Sequence, residues 1–433
     1  MIWSGRPLPN GEGLDYLCPP MTEPTDYFHH TLPNGIRIIH KEVDAEVAHC
    51  GIIINAGSRD EQAEEHGMAH FLEHVLFKGT KKRKAYHILS RLEDVGGELN
   101  AYTTKEETFI YGTFLRQFYS RAVELITDIT FNSIFPEREL DKEKEVIIDE
   151  INSYLDSPSE QIFDDFEELV FAGHPLGRNI LGEPEILRGF NRLNVLEFIQ
   201  RNYTTDQMVF CSVGKISFKR LLNLCEKFLS DIPARNGRPE RIPFKGYKPV
   251  KKIIERNTYQ AHVILGNEAY SRKSKKRLGL QVLNNLLGGP GMNSRLNLNI
   301  REKHGITYNL ESHYSTYADT GIFLVYLGTD QKYLNRTVRL VKAELKKLRE
   351  KKLGTLQLHK AKLQSMGYLA IGFESNSNKL AAYGKSFLIF NEVKTLQQIQ
   401  REIDTLTGSQ LLEIANEIFD ERALSMVQYN QSE

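Results

Sequence analysis

The sequence predicts a mixed α+β fold built as two related halves, and three observations carry that prediction. Strand-like runs of β-branched residues alternate with amphipathic helical stretches along most of the chain. A stretch rich in proline, glycine and basic residues, Asp231 to Val250, interrupts the pattern near the middle. On either side of it the chain repeats weakly. At an offset of about 212 residues Gly79 falls on Gly291, Tyr102 on Tyr314 and Thr108 on Thr320.

Composition narrows the class. A chain of 433 residues suggests two or more domains and can bury large cores. Hydrophobic residues at 40% and charged residues at 26% are ordinary for a globular protein. Lys+Arg and Asp+Glu are 56 each, so no overall field favours nucleic acid or a membrane surface. The apolar runs are far too short for a membrane span. Cys18, Cys50, Cys211 and Cys225 are scattered with no C-x-x-C pair, and read as reduced thiols or small core residues. Met1 to Pro20 lacks a basic start followed by an apolar core, so it is no secretory signal, and the expected compartment is the cytoplasm. That stretch reads either as a short ordered arm or as an upstream extension with the start at Met21; the second is preferred.

Taken in order, Asn34-Gly35 marks a turn and the run after it a strand. Val47 to Asn55 reads as a second strand, with Gly51-Ile52-Ile53-Ile54 buried on both faces. A loop, Gly57 to Glu61, leads to a helix ending near Gly79. Ala85, Ile88, Leu89, Leu92 and Val95 recur at helical spacing until Gly96-Gly97. Glu107 to Leu115 is strand-like and Phe118 to Asn132 helical. Pro136 opens a helix with Leu140, Ile147 and Ile151 on one stripe. In the second half, Ala261 to Leu265 and Ile322 to Leu327 are strand-like. Helix resumes near Lys276, and long helices follow Leu334. The expected division is an extension over 1–21, a first domain over 22–232, a linker over 233–250 and a second domain over 251–433.

The helix after the loop contains His70-Phe71-Leu72-Glu73-His74, an H-x-x-E-H motif. Histidines four apart share a helix face, so both imidazoles can reach one ion, with Glu73 at the edge of the same site. That pattern suits a zinc ion with a base beside it. A catalytic zinc takes a third protein ligand. The helix over 137–154 offers Glu143 and Glu150, seven apart on one face. They read either as a solvated acidic face or as carboxylates turned to a metal. At the offset of 212, His70, Glu73 and His74 fall on Val282, Asn285 and Leu286, so the second half repeats the scaffold without the donors.

The context of that motif resembles the pitrilysin family of zinc metallopeptidases. Gly57-Ser58-Arg59 precedes it, Phe77-Lys78-Gly79-Thr80 follows, and Gly97-Glu98-Leu99-Asn100-Ala101-Tyr102-Thr103 comes next, with Glu150 seventy-six residues after His74. The chain resembles in particular the mitochondrial processing peptidase β subunit and its short bacterial relatives. The resemblance implies that His70, His74 and Glu150 bind one zinc ion per chain, that Glu73 is the general base, and that Glu143 orients the site from behind the ligands. It implies that Arg301 and Tyr308, in the run Arg301 to Tyr308, hold substrate and stabilise the tetrahedral intermediate. Asn100, Ala101 and Tyr102 match the edge strand to which an extended peptide is added. The implied fold is two homologous domains, each an antiparallel sheet flanked by helices, together half of a clamshell. The implied partners are a peptide substrate and a second copy of the chain, or else a paralogous subunit.

Two other readings compete: a catalytically silent partner subunit, and a protein with a purely structural zinc. The remaining histidines are unremarkable in sequence: His66 as a helix-start residue, His29-His30 and His174 as loop residues. Ser271 to Arg277 reads as a solvated basic face. Asp141 to Glu168 holds eleven acidic and two basic residues, which would favour basic peptides if it lined the site.

Overall fold

In a computed structural model, residues 27–431 are described. Trp3, Cys18 and the expected extension over 1–21 lie outside that range. The first half runs β1 (Tyr27–Thr31), β2 (Arg37–Glu42), β3 (Val47–Ile54), α1 (Met68–Val75), α2 (Ala85–Glu93), β4 (Glu98–Thr103), β5 (Thr108–Leu115), α3 (Tyr119–Asn132), α4 (Glu137–Leu155), α5 (Pro158–Val170), α6 (Pro184–Arg188), α7 (Arg192–Asn202), β6 (Met208–Gly214) and α8 (Phe218–Leu229). The second runs β7 (Lys251–Arg256), β8 (Ala261–Ala269), α9 (Arg277–Gly288), β9 (Thr307–Thr316), β10 (Gly321–Thr329), α10 (Leu334–Glu350), α11 (Thr355–Glu374), α12 (Asn376–Phe390), α13 (Leu396–Thr405), α14 (Gly408–Ile418) and β11 (Ser425–Gln431).

The strands form two sheets, ordered β1-β2-β6-β3-β5-β4 and β7-β11-β8-β10-β9. Without β1 the two orders are the same, position by position. The weak sequence repeat is therefore a repeat of topology. The sheets are not wholly antiparallel as expected. β2 pairs parallel with β6, and β7 parallel with β11. In each half the last strand, β6 or β11, returns after a long helical crossover to lie beside β2 or β7, which is the connection a parallel pair needs. His29 and His30 lie in β1 rather than in a loop.

Each sheet buries two faces. The inner face of the first packs on its own helices, with Ile52, Phe71, Leu72, Val123 and Ile147 in one cluster. Its outer face, with Ile39, Ile53, Phe109, Val209 and Val213, is covered by Leu380, Phe387 and Leu388 of α12, which belongs to the second half. The relation is reciprocal. Ile162, Phe166 and Val170 of α5 cover Ile264, Leu324, Val427 and Tyr429 of the second sheet. Strands buried on both faces read as continuous apolar runs, which is why Gly51 to Ile54 carries no alternation.

The expected linker has no regular secondary structure from 233 to 250, yet it is tied down as a strap. Arg241 donates to both Asp60 oxygens at 2.8 and 2.7 Å. Arg59 donates to the Ile242 carbonyl at 2.7 Å. Tyr247 Oη and Ser425 Oγ lie 2.8 Å apart. Beneath the strap, Arg59 pairs with Glu106 at 2.6 Å and with Asp319 at 2.5 Å, while Arg272 pairs with Glu106. Arg59 and Arg272 correspond at an offset of 213 residues, as do Glu106 and Asp319. The crossed pairs Arg59–Asp319 and Arg272–Glu106 thus tie the two halves together at corresponding positions. Arg272 is 7% exposed, so the run Ser271 to Arg277 is not simply a solvated face.

Candidate metal centre

α1 carries the H-x-x-E-H motif, and its position is set at its N-terminus. Gly67 caps the helix at φ +97°, where any other residue would be strained, and a Cβ there would come within 2.9 Å of Gly182 Cα. Glu61 accepts from Gly67 N–H at 3.1 Å and from Ala69 N–H at 2.8 Å, satisfying amides the helix leaves unpaired. Burial pushes the Glu61 carboxyl up to about 8 despite those two bonds. His66 Nε2–H donates to the Asn179 carbonyl at 2.7 Å, so it is a helix-start residue as expected. Glu61 was not legible in sequence, since a loop acid reads as solvated.

Two turns of α1 face α4. His70 Nε2 lies 3.8 Å from Glu150 Oε2, and His74 Nε2 lies 3.6 Å from the same oxygen. One donor atom from each of His70, His74 and Glu150 lies within 4.8 Å of the others. Ligands held about 2.0–2.2 Å from one ion in tetrahedral geometry stand roughly 3.4 Å apart, so this donor set fits zinc. His70 is 8% exposed and its Nδ1 is buried with no hydrogen-bond partner. Burial, aided by the neighbouring His74, lowers its pKa to about 4, which keeps the ring neutral as a metal ligand must be. His74 Nδ1–H donates to Glu143 Oε2 at 3.3 Å, and Lys78 Nζ holds Glu143 Oε1 at 2.6 Å. Glu143 thus holds the side of the His74 ring turned away from Glu150, and Lys78 holds Glu143, an arrangement able to orient a histidine ligand.

Glu73 stands between the histidines and β4. Burial raises its carboxyl above the usual range, and hydrogen bonds from Thr103 oppose that rise. Asn100, Ala101 and Tyr102 lie in β4, which among the described residues pairs only with β5 and is an edge of its sheet. Arg301 and Tyr308 are elsewhere. The Arg301 guanidinium lies 5.0 Å from the centre of the Tyr308 ring, and Tyr308 is 74% exposed. The two line a shallow depression with Gln260, Asp330 and Tyr333, and no residue of the metal cluster lines it. The acidic stretch is also partly committed. Asp164 accepts from Tyr154, Asp165 accepts from Tyr429 at 2.6 Å, and Glu167 pairs with Lys105 at 3.2 Å. Among the described residues Cys50, Cys211 and Cys225 are buried free thiols.

Known proteins place this arrangement. The family model described as Insulinase (Peptidase family M16) matches residues 37–184, and that described as Peptidase M16 inactive domain matches residues 189–365. A Bacillus subtilis protein named uncharacterized zinc protease YmxG is 32% identical over 393 residues, covering 90% of this chain and 95% of the relative. The chain belongs to peptidase family M16. Within this family, also called the pitrilysin family, it is of the short bacterial type. A Rickettsia felis protein named uncharacterized zinc protease is 31% identical, covering 92% of the M16 chain and 96% of its own. In fold, the chain matches a protease from Helicobacter pylori with a TM-score of 0.87 at 21% identity, over 94% of this chain and 99% of the other. A Pseudomonas fluorescens structure described as a peptidase M16 inactive domain matches with the same score at 18% identity, over 94% and 99%. The M16 inactive-domain match spans α9, where Val282, Asn285 and Leu286 stand in for the metal motif.

Proposed function

We propose that this M16 chain is a zinc-dependent metalloendopeptidase that cleaves extended or unfolded peptides within an enclosed chamber. The observation that carries this reading is the convergence of His70, His74 and Glu150 at ion-binding separation, with the half-buried carboxyl of Glu73 beside them and a strand edge alongside. One zinc ion per chain would be held by His70, His74 and Glu150, supplying Lewis acidity that acidifies water and polarises a carbonyl. An extended peptide adds to β4 at Asn100, Ala101 and Tyr102, bringing its backbone past Glu73. The Glu73 carboxylate takes a proton from the attacking water and returns it to the leaving amine. Arg301 anchors the peptide and the Tyr308 hydroxyl donates to the developing oxyanion. Because that pair lines a different depression from the metal cluster, it acts on the cluster of a second chain, in a homodimer of half-clamshells.

The same separation favours a second reading, in which the chain is a subunit that is silent until a paralogous partner supplies its own Arg–Tyr pair. Glu73→Gln tests the first reading. It should retain stoichiometric zinc and lose roughly 10²–10⁴-fold in hydrolysis of a quenched peptide, the usual worth of a general base. Near-normal turnover in the zinc-loaded variant would sink the mechanism. A wild-type chain that binds zinc yet cleaves nothing alone would favour the second reading.

A further inference from the structure

The second half keeps a cleft where the first half keeps its metal residues. α9 is the counterpart of α1, and His70 and Glu73 correspond to Val282 and Asn285. Val282 and Asn285 both line a half-open cavity of about 580 Å³ walled by α9, α11, α12, α13 and the edge strand β9. In the first half, α1 faces α4 beside the edge strand β4. In the second, α9 faces α11 beside β9, and the residues meeting across the gap are Asn285, Ser365 and Tyr368. The topology has preserved the space and changed its chemistry.

That chemistry specifies an occupant. The walls are Val282, Tyr314, Tyr368, Phe373, Phe390 and Ile403, an apolar and aromatic surface that gains by leaving water. The volume falls within the range of small-molecule sites, about 300–1,000 Å³. The charged lining residues are two of each sign: Arg277 and Lys394, Glu392 and Glu402. Lys394 pairs with Glu402, and Arg277 donates to the Arg272 carbonyl at 2.6 Å with its guanidinium 5.4 Å from the centre of the Phe390 ring. The balance leaves no net charge to attract an ion. On the α9 side, Gln281 donates to Asn285 at 3.4 Å and Asn285 to Ser365 at 3.4 Å, both near the limit of a hydrogen bond. Those polar groups have capacity for a better partner.

We propose that this cavity binds a small, neutral, largely apolar molecule with one hydrogen-bonding group directed at Asn285 and Ser365. The site stands apart from the metal cluster, and the proposal does not depend on the peptidase reading. The probe for testing it is N-phenylnaphthylamine, which is neutral and fluoresces when desolvated. The intact chain should bind it saturably, one per chain, and bind anilinonaphthalene sulfonate, a charged probe of similar body, at least tenfold more weakly. Ala382→Phe and Ser386→Phe, which fill the cavity from α12, should each weaken the neutral probe more than tenfold at unchanged Tm and circular dichroism. Either variant suffices if the other fails to fold. Binding that does not saturate, that survives both substitutions, or that is as tight for the sulfonate overturns the proposal. So does binding seen only in a chain started at Met21. Val393 lines the cavity and donates to Tyr27 Oη at 3.3 Å, so that outcome would assign the space to the N-terminal segment of the chain itself.

Discussion

His40 lies outside the metal centre and is 0% exposed. Its Nε2–H donates to the Ile216 carbonyl at 2.9 Å, and Nδ1 accepts from Ser212 Oγ at 3.2 Å. This network satisfies a neutral ring, and burial lowers its pKa from 6.5 to about 4. Between those values the unfolded chain binds the proton and the folded chain does not, so stability is lost as pH falls. The loss is on the order of 3 kcal/mol across that window. Urea unfolding at pH 7 and pH 4.5 should show it, and His40→Gln should flatten the difference. At the metal centre, His70→Ala, His74→Ala and Glu150→Gln should each weaken zinc binding by at least tenfold in competition with a chelator; unchanged affinity in the Glu150 variant would remove it as a ligand. His70, Glu73 and His74 were legible because helical spacing alone puts them together. Glu150 was not, since the spacing offered Glu143 equally and the family resemblance chose between them. Glu61, Lys78 and Arg272 were illegible because their meaning lies in partners from distant loops.

At the scale of elements, two helices of the second half, α12 and α11, make opposite predictions for a glycine each. Gly384 lets α12 sit against the first sheet; a Cβ there would meet Cys211 Sγ at 2.9 Å and Ile53 Cγ2 at 3.3 Å. Gly384→Leu should cost about 1–3 kcal/mol by overpacking. Gly367, within α11, has nothing within 4 Å of such an atom. Gly367→Ala should therefore stabilise by about 0.5–1 kcal/mol, since glycine is a poor helix former. Denaturant midpoints at constant slope would check both signs. Periodicity in the sequence gave the existence and the buried stripe of α4, with Leu140, Ile147 and Ile151 all buried. It said nothing of which surface a stripe would meet, so the crossing of α5 and α12 between halves was out of reach. The parallel pairs were missed for a similar reason, because strand order is decided by crossovers and not by the strands.

At the scale of the whole molecule, the crossed pairs of Arg59, Glu106, Arg272 and Asp319 fix how the halves sit. Arg59→Met leaves Asp319 without its guanidinium partner, while Glu106 keeps Arg272, and should cost about 3 kcal/mol in unfolding free energy, the low end of what breaking a buried ion pair from one side costs. The proposed assembly has its own test. Neither Glu73→Gln nor Tyr308→Phe chains alone should cleave, but a mixture with verified subunit exchange should recover activity, because one of two composite sites in a mixed dimer is intact. Random assortment makes roughly a quarter of wild-type activity the ceiling. No recovery would place the Arg–Tyr pair and the metal cluster of one chain in one site.

The exchange of α5 and α12 also sets a timetable for synthesis. The first sheet has all its strands once β6 ends at Gly214, but the cover for its outer face begins only at Asn376 and ends at Phe390. At about 5–20 residues per second, the ribosome needs roughly 9–35 s to close that gap. Through it, Ile39, Ile53, Phe109, Val209 and Val213 face water on a nascent chain whose sheet is otherwise complete. An apolar sheet face left open is what chaperones bind and what neighbouring nascent chains stick to. The protein's most exposed moment thus falls during translation, between the making of its first core and the arrival of the helix that seals it.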